Sequence, residues 1–313
     1  MVDYSVVVPV YFNEGSLEYT ANKVRAEVFE KRPNLKGEII FVDDGSDDGS
    51  YAELRRIKAA HSEDVRVIKL SRNFGQDNAI WCGMQHAEGA VIIISADGQD
   101  PIELMPTMLD RHFGSDVEVV IATRESREET WWRRITSAIV YKLIKTLGHA
   151  DMPAGGFDFM LLGKRAKSAL LKRWQANTFL QIRVLETGFR REFIPYHRAD
   201  RISGVSRWTF AKKFTVTIDA LLGHSYIPIR IITLLGLAFS SLSFLMALYF
   251  FVSYFWDDHV ARGLTPVILL VLFIGGLMMM MIGVIGEYLW RVLAQTRESE
   301  PYIIEEEMDA EPS

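Results

Sequence analysis

The amino-acid sequence predicts an α/β fold on a mainly parallel sheet, followed by an amphipathic interfacial helix and two transmembrane helices. Three observations carry this. Over roughly the first 125 residues, short continuous apolar runs alternate with stretches of helical period, as strands covered on both faces do. Polar clusters follow four of those runs, where parallel sheets bind ligands at the carboxyl ends of their strands. Beyond residue 225, the stretches 231–256 and 264–286 carry no charged side chain, and each exceeds the roughly 18–20 residues a helix needs to cross a bilayer.

The elements follow in order. Residues 5–9 (SVVVP) form the first strand and 17–30 a helix; 38–42 (EIIFV) form the second strand and 51–60 an amphipathic helix. Residues 65–70 are the third strand, 78–87 a helix, 90–94 the fourth strand and 117–122 the fifth. After the first strand come Tyr11, Asn13 and Glu14, and after the second the run DDGSDDGS from Asp43 to Ser50. After the third come Ser71, Arg72, Asn73, Phe74 and Gly75, and after the fourth Ser95, Asp97, Gln99 and Asp100. Any one cluster could serve only as a turn or helix cap, the usual place of Asp, Gly and Ser. Four of them along one edge of one sheet predict a binding edge.

The chain of 313 residues is long enough for a sizeable core. Its formal net charge of −5 argues against general nucleic-acid binding, and its single cysteine, Cys82, excludes an internal disulfide framework. The opening Met1-Val2-Asp3-Tyr4 lacks a basic leader region, which predicts a cytoplasmic N-terminal domain. Residues 305–311, rich in acid, are expected to be disordered.

The second half reads as membrane architecture. Trp208, Phe210, Ala211, Phe214, Ile218, Leu221 and Leu222 recur at helical spacing while Lys212, Lys213 and Asp219 take other positions, the pattern of a helix lying in the interface. Lys212, Lys213 and Arg230 precede the first span, and Arg291 and Arg297 follow the second, so both termini are expected on the cytoplasmic side. The expected division is a catalytic domain at 1–207, an interfacial helix at 208–224, two spans within 225–290 (about 227–256 and 264–286), and a cytoplasmic tail at 291–313. Arg124, Arg127, Arg133, Arg134 and Ser137 form a cluster suited to an acceptor phosphate at the membrane surface, because the arginine fork matches phosphate oxygens. A solvated basic face is the plainer alternative.

The motifs VVVPVYFNE (6–14), VDDGSDDGS (42–50), NFGQ (73–76), ADGQDP (96–101), GGFDF (155–159) and RISGVSRW (201–208) occur in this order before the two apolar segments. Together they resemble the family 2 glycosyltransferases of GT-A fold that act on polyisoprenyl phosphates, over nearly the whole chain. The resemblance implies a nucleotide-sugar donor, a divalent Mg²⁺ or Mn²⁺, and inversion at the anomeric carbon. It places Pro9, Tyr11, Glu14 and Asp43 around the nucleoside, with Asp44 close by, and Asp97 and Gln99 at the metal and diphosphate. It makes Asp158 the counterpart of the family's base. Arg201, Gly204, Ser206 and Arg207 match a loop that closes over the donor diphosphate (Arg201) and the acceptor phosphate (Arg207).

Two points of chemistry refine that picture. The family motif has two aspartates separated by one residue, and here Ser95 stands in the first position; a metal held by Asp97 and Gln99 then depends on oxygens that the donor brings. The acceptor is a phosphate monoester with a second pKa of about 6, so no strong base is required and Asp158 is expected to orient rather than deprotonate. The expected activity is transfer of a sugar, UDP-glucose being the preferred donor, to undecaprenyl phosphate at the cytoplasmic membrane face, by a homo-oligomer that family resemblance makes a tetramer. The alternatives are a lipid-independent or processive glycosyltransferase and a non-enzymatic nucleotide-sugar or lipid-binding membrane regulator. Against a processive enzyme, neither Gln175 nor Gln181 is followed at the right spacing by an Arg-Trp pair.

Overall fold

A computed structural model describes residues 2–124, 152–153, 156–172, 180–196, 264–296 and 300–309, with isolated positions between 234 and 248. The expected interfacial helix and nearly all of the first expected span lie outside these residues. The described chain falls into two units, one of residues 1–213 with 299–313 and one of residues 214–298.

In the first unit the elements run β1 (Tyr4–Val10), α1 (Leu17–Val24), β2 (Gly37–Asp43), α2 (Ser50–Ala60), β3 (Val65–Leu70), α3 (Gln76–His86), β4 (Ala90–Ile93), α4 (Met105–Gly114) and β5 (Val119–Arg124). Then come β6 (Met160–Leu162), α5 (Lys164–Leu171), α6 (Leu180–Glu186), β7 (Arg191–Tyr196) and, after the second unit, β8 (Ile304–Met308). They make one sheet of order β7-β5-β6-β4-β1-β2-β3-β8. Strands β4, β1, β2 and β3 are mutually parallel, which sends their carboxyl ends to the same edge. Alternation within each strand divides the core. Val6, Val8, Ile39 and Phe41 join one buried cluster, while Val7, Ile40 and Val42 join the other on the opposite face. A sheet apolar on both faces needs helices on both. This is the GT-A, Rossmann-like arrangement expected.

Two features depart from the expectation. Strand β6 inserts antiparallel between β4 and β5; three residues are too few to show a period. The described part of the acidic tail forms a strand. Its residues 304–308 pair antiparallel with β3, Ser71 N–H donates to the Ile303 carbonyl at 2.9 Å, and Arg66 and Lys69 meet Asp309 and Glu305 at 2.8 Å each. Repulsion among the tail's acids is answered by cations of β3, and the pairing covers a backbone edge that would otherwise be open.

The second unit contains α7 (Leu264–Thr296), a helix of 33 residues, about 50 Å long at 1.5 Å per residue. At some of its positions the side chain lies outside the description. Counting only those that are described, no helix is long and apolar enough to cross a membrane. The full helical sequence carries no charge from Leu264 to Gly286.

Deleting residues 300–313 removes the strand that covers β3. The expected outcome is a loss of about 2 kcal/mol, seen as a thermal midpoint lower by about 4–8 °C, with faster amide exchange at Ser71 and along β3. An unchanged exchange pattern in β3 would show that β8 contributes nothing.

Candidate functional site

The site grows from the carboxyl ends of the strands. After β1 the chain turns sharply. Phe12 adopts φ 58°, in the left-handed region that non-glycine residues enter only when their surroundings hold them there. What holds it is backbone capture: Tyr11 N–H donates to Asn13 Oδ1 at 2.9 Å, Phe12 N–H to Ser46 Oγ at 3.1 Å, and Asn13 N–H to Ser50 Oγ at 2.9 Å. Buried Glu53 accepts from Gly15, Leu17 and Glu18 N–H at 2.6, 3.0 and 2.9 Å, so a carboxylate of α2 caps the start of α1. Glu14 accepts from Gly49 N–H at 3.1 Å. Pro9 is half-buried at the strand end, and Tyr11, 37% exposed, presents its ring at the sheet edge.

At the end of β2, Asp43 and Asp44 are both buried but differently engaged. Asp44 accepts from Phe74 N–H at 2.7 Å and Gly75 N–H at 2.9 Å. It ties the loop after β3 to the loop after β2. Gly45 makes the approach possible: at φ 67° a side chain there would come within 2.5 Å of the Arg72 backbone. Burial pushes the Asp44 carboxyl up to about 6 in spite of those two N–H donors. Asp43 accepts from Ser46 N–H at 3.3 Å through Oδ1, while its Oδ2 is buried without a hydrogen-bond partner. Burial raises its pKa also. A buried carboxylate oxygen lacking a donor is a place prepared for one.

The loop after β4 closes on itself. Ser95 N–H donates to Asp100 Oδ2 at 2.8 Å and Gln99 N–H to Asp97 Oδ1 at 3.1 Å. Ser16 Oγ–H donates to the Ala96 carbonyl at 2.7 Å. Asp97 is half-buried, while Gln99 and Asp100 are buried. Among the described residues no group of three or more His, Cys, Asp or Glu side chains is placed to hold a metal ion. The loop offers hard oxygen donors of the type that Mg²⁺ or Mn²⁺ takes, but in a set that fits such an ion only when phosphate oxygens complete it.

Asp158 lies just beyond the turn at Gly156, where φ is 66°. Arg124 Nη2 donates to its Oδ2 at 2.8 Å and Gln181 Nε2 to its Oδ1 at 3.0 Å. Arg124 Nε also donates to Tyr196 Oη at 3.3 Å, and Tyr196 Oη–H donates to Asp100 Oδ1 at 3.3 Å. A continuous chain thus runs from Asp158 through Arg124 and Tyr196 to Asp100, and on to the loop that carries Asp97. Arg124, expected at the acceptor phosphate, pairs here with Asp158. Gln181 stands in the first turn of α6. Arg133, Arg134, Ser137, Arg201 and Arg207 lie outside the described residues.

Sequence reasoning missed the parts played by Asp100, Gln181 and Tyr196. Asp100 was in view within the ADGQDP motif. Gln181 and Tyr196 sit on elements whose approach to the site depends on β6 and β7, which the periodicity did not disclose.

Comparison with known proteins agrees with the geometry. The model of glycosyl transferase family 2 matches residues 5–165. Similar proteins include an uncharacterized glycosyltransferase of Bacillus subtilis, 30% identical with 97% of this chain and 94% of the relative covered. One of Synechocystis sp. is 31% identical, with 97% and 95% covered. The bactoprenol glucosyl transferase of Shigella phage SfV is 29% identical, with 97% and 98% covered.

Two measurements probe the network. Tyr196→Phe removes the hydroxyl that links Arg124 to Asp100, and should cost about 1–2 kcal/mol in thermal unfolding; a stability within 0.3 kcal/mol of the parent, on the order of measurement error, would rule the link out. For Asp44, the folded pKa of about 6 exceeds the ordinary 3.8, so the folded state binds the proton more tightly. The contribution of this carboxyl therefore falls as pH rises from about 4 to about 6 and is flat above. Unfolding midpoints followed across that window should lose this slope in Asp44→Asn.

Proposed function

The chain belongs to glycosyl transferase family 2, and from that premise we propose a membrane-bound, inverting enzyme that transfers a sugar from a nucleotide-sugar to a polyisoprenyl phosphate at the cytoplasmic face. The observation that carries the donor half is the buried, partnerless Oδ2 of Asp43 on the edge shared with Asp97 and Asp158. A base N–H or a ribose hydroxyl would complete it, whereas a phosphate would be repelled. UDP-glucose is the donor we favour and undecaprenyl phosphate the acceptor, in keeping with the relatives named bactoprenol glucosyl transferase that align over nearly their full length.

The membrane half rests on α7. Val267, Val271, Met279 and Leu289 are 58%, 61%, 71% and 69% exposed. Successive residues on a helix are about 100° apart, so Leu270 with Val271, and Met278 with Met279 and Met280, spread the exposed apolar surface round the axis. A helix apolar on every side belongs in a core or a bilayer, and its uncharged stretch exceeds the roughly 30 Å hydrocarbon thickness. With the first apolar stretch before it, α7 gives a two-span anchor with both termini cytoplasmic. Assembly as a homo-oligomer, a tetramer by family resemblance, belongs to the same reading.

In the proposed reaction an acceptor phosphate oxygen attacks the anomeric carbon. The bond from that carbon to the diphosphate breaks, and the nucleoside diphosphate leaves with the electron pair. Asp97 and Gln99 would hold Mg²⁺ or Mn²⁺, which when bound would supply positive charge to the leaving diphosphate. Asp158 has no proton to abstract from a dianionic acceptor. Pinned by Arg124 and Gln181, it acts as a fixed acceptor that orients the sugar. Arg133, Arg134, Ser137 and Arg207 are assigned to the acceptor phosphate, and Arg201 to the donor diphosphate.

The deciding experiment incubates the purified protein with undecaprenyl phosphate, Mn²⁺ and a panel of radiolabelled UDP- and GDP-sugars, and looks for a labelled lipid. Product is expected with at least one donor; none with any donor would overturn the reading. Asp97→Asn should lower transfer by roughly a hundredfold or more. Because Ser95 leaves the ion reliant on the nucleotide, Mn²⁺ measured by calorimetry should bind tightly only when UDP is present. Equal affinity with and without UDP would refute that dependence.

A further inference from the structure

The side-chain amide of Gln181 is half used. An amide has a donating end and an accepting end, and Asp158 Oδ1, a pure acceptor when ionised, requires the donating end to face it. The 3.0 Å contact from Nε2 therefore fixes which way the group points. Its Oε1 is left facing elsewhere, buried and without a hydrogen-bond partner. Side-chain oxygens buried in a folded protein are nearly always satisfied. This one lies beside the carboxylate that the functional reading sets against the sugar, held there by the contact to Asp158. An oxygen so held waits for a donor.

The reaction narrows the choice of donor. The diphosphate and the acceptor phosphate are ionised and offer only acceptors. The nucleoside is claimed by Asp43, at the end of a different strand. What remains is a hydroxyl of the transferred sugar. We propose that Gln181 is a sugar-reading residue, whose Nε2 positions the Asp158 carboxylate while its buried Oε1 accepts a hydrogen bond from one hydroxyl of the donor sugar. The proposal rests on the glycosyltransferase reading and adds to it a specificity determinant outside the motifs. The class of ligand is a nucleotide-hexose with a free hydroxyl at the position that Gln181 reads. A donor lacking that hydroxyl leaves Oε1 buried and unsatisfied, which makes the contact discriminating as well as attractive.

The test uses the full-length protein with Mn²⁺ and measures binding by calorimetry, so that it does not depend on turnover. The ligands are UDP, UDP-glucose and the 2-, 3-, 4- and 6-deoxy analogues of UDP-glucose. The corresponding GDP ligands replace them if the GDP-sugar binds better. Gln181→Met, apolar and of similar length, should lose about tenfold in affinity for the nucleotide-sugar while binding the bare nucleotide unchanged; the latter also shows that the variant is folded. One deoxy analogue should bind the wild type about tenfold more weakly than the parent sugar, and on that analogue Gln181→Met should lose nothing more. Equal losses for UDP and UDP-glucose would make Gln181 merely structural and overturn the proposal. So would a wild type indifferent to every deoxy position, additive losses on all four analogues, or a sugar that adds nothing to nucleotide affinity. Absence of transfer to undecaprenyl phosphate, with these binding differences intact, would instead count against the acceptor assignment alone.

Discussion

A carboxylate buried at the end of a strand must be answered by donors, and the way each is answered shapes this molecule's binding edge. Asp44 is met by two backbone N–H groups of the loop after β3, Asp100 by the backbone of its own loop and a tyrosine hydroxyl, and Asp158 by a guanidinium and an amide. In each case at least one donor belongs to a separate stretch of chain, so satisfying the charge also fixes one segment against another. Asp43 is the exception, with one oxygen left unanswered. Three carboxylates build the edge and the fourth is free to serve a ligand. The parallel sheet makes this possible because it delivers β1, β2, β3 and β4 to the same side.

Much of this edge could be read from the sequence, for an identifiable reason. Strands such as VVV and EIIFV, apolar on both faces, contrast sharply with the Asp, Asn, Gly and Ser that follow them, and that contrast marks where a parallel strand stops and a site begins. The half built by β5, β6 and β7 gives no such contrast. Strand β6 spans three residues, and β7 carries a proline and alternating exposure. Tyr196 and Gln181 reach the site only through those elements, so no local pattern announced them. The tail failed for the opposite reason. Its local pattern, a run of glutamates, was strong and pointed to disorder, but Arg66 and Lys69 on the neighbouring strand reverse the sign of the local field.

Ser95 shows how a single departure redistributes a task. An aspartate there would add a third carboxylate to a loop that already holds Asp97 and Asp100. Asp100 does not substitute for it, because its Oδ2 accepts the Ser95 backbone N–H and its Oδ1 the Tyr196 hydroxyl. The same hydrogen bond that stabilises the loop thus draws this carboxylate away from an ion. A divalent cation at Asp97 would then owe most of its coordination to the diphosphate, which couples ion binding to donor binding by ordinary linkage.

The placement of Arg124 follows from the same electrostatics. A donor diphosphate and an acceptor phosphate are both anionic, and an unshielded Asp158 would repel them both. Pairing with Arg124 at 2.8 Å neutralises that carboxylate locally while leaving it able to accept from a sugar hydroxyl, since a carboxylate has about four acceptor positions and the two contacts occupy only part of them. The Asp158–Arg124 pair is therefore best understood as one neutral, oriented acceptor. In the proposed reaction, the task of attracting two anionic substrates would then fall to a divalent ion and to the arginines later in the chain. Such a division suits a displacement in which the nucleophile arrives already charged: the group beside the sugar has to fix direction, and the groups around the phosphates have to balance charge.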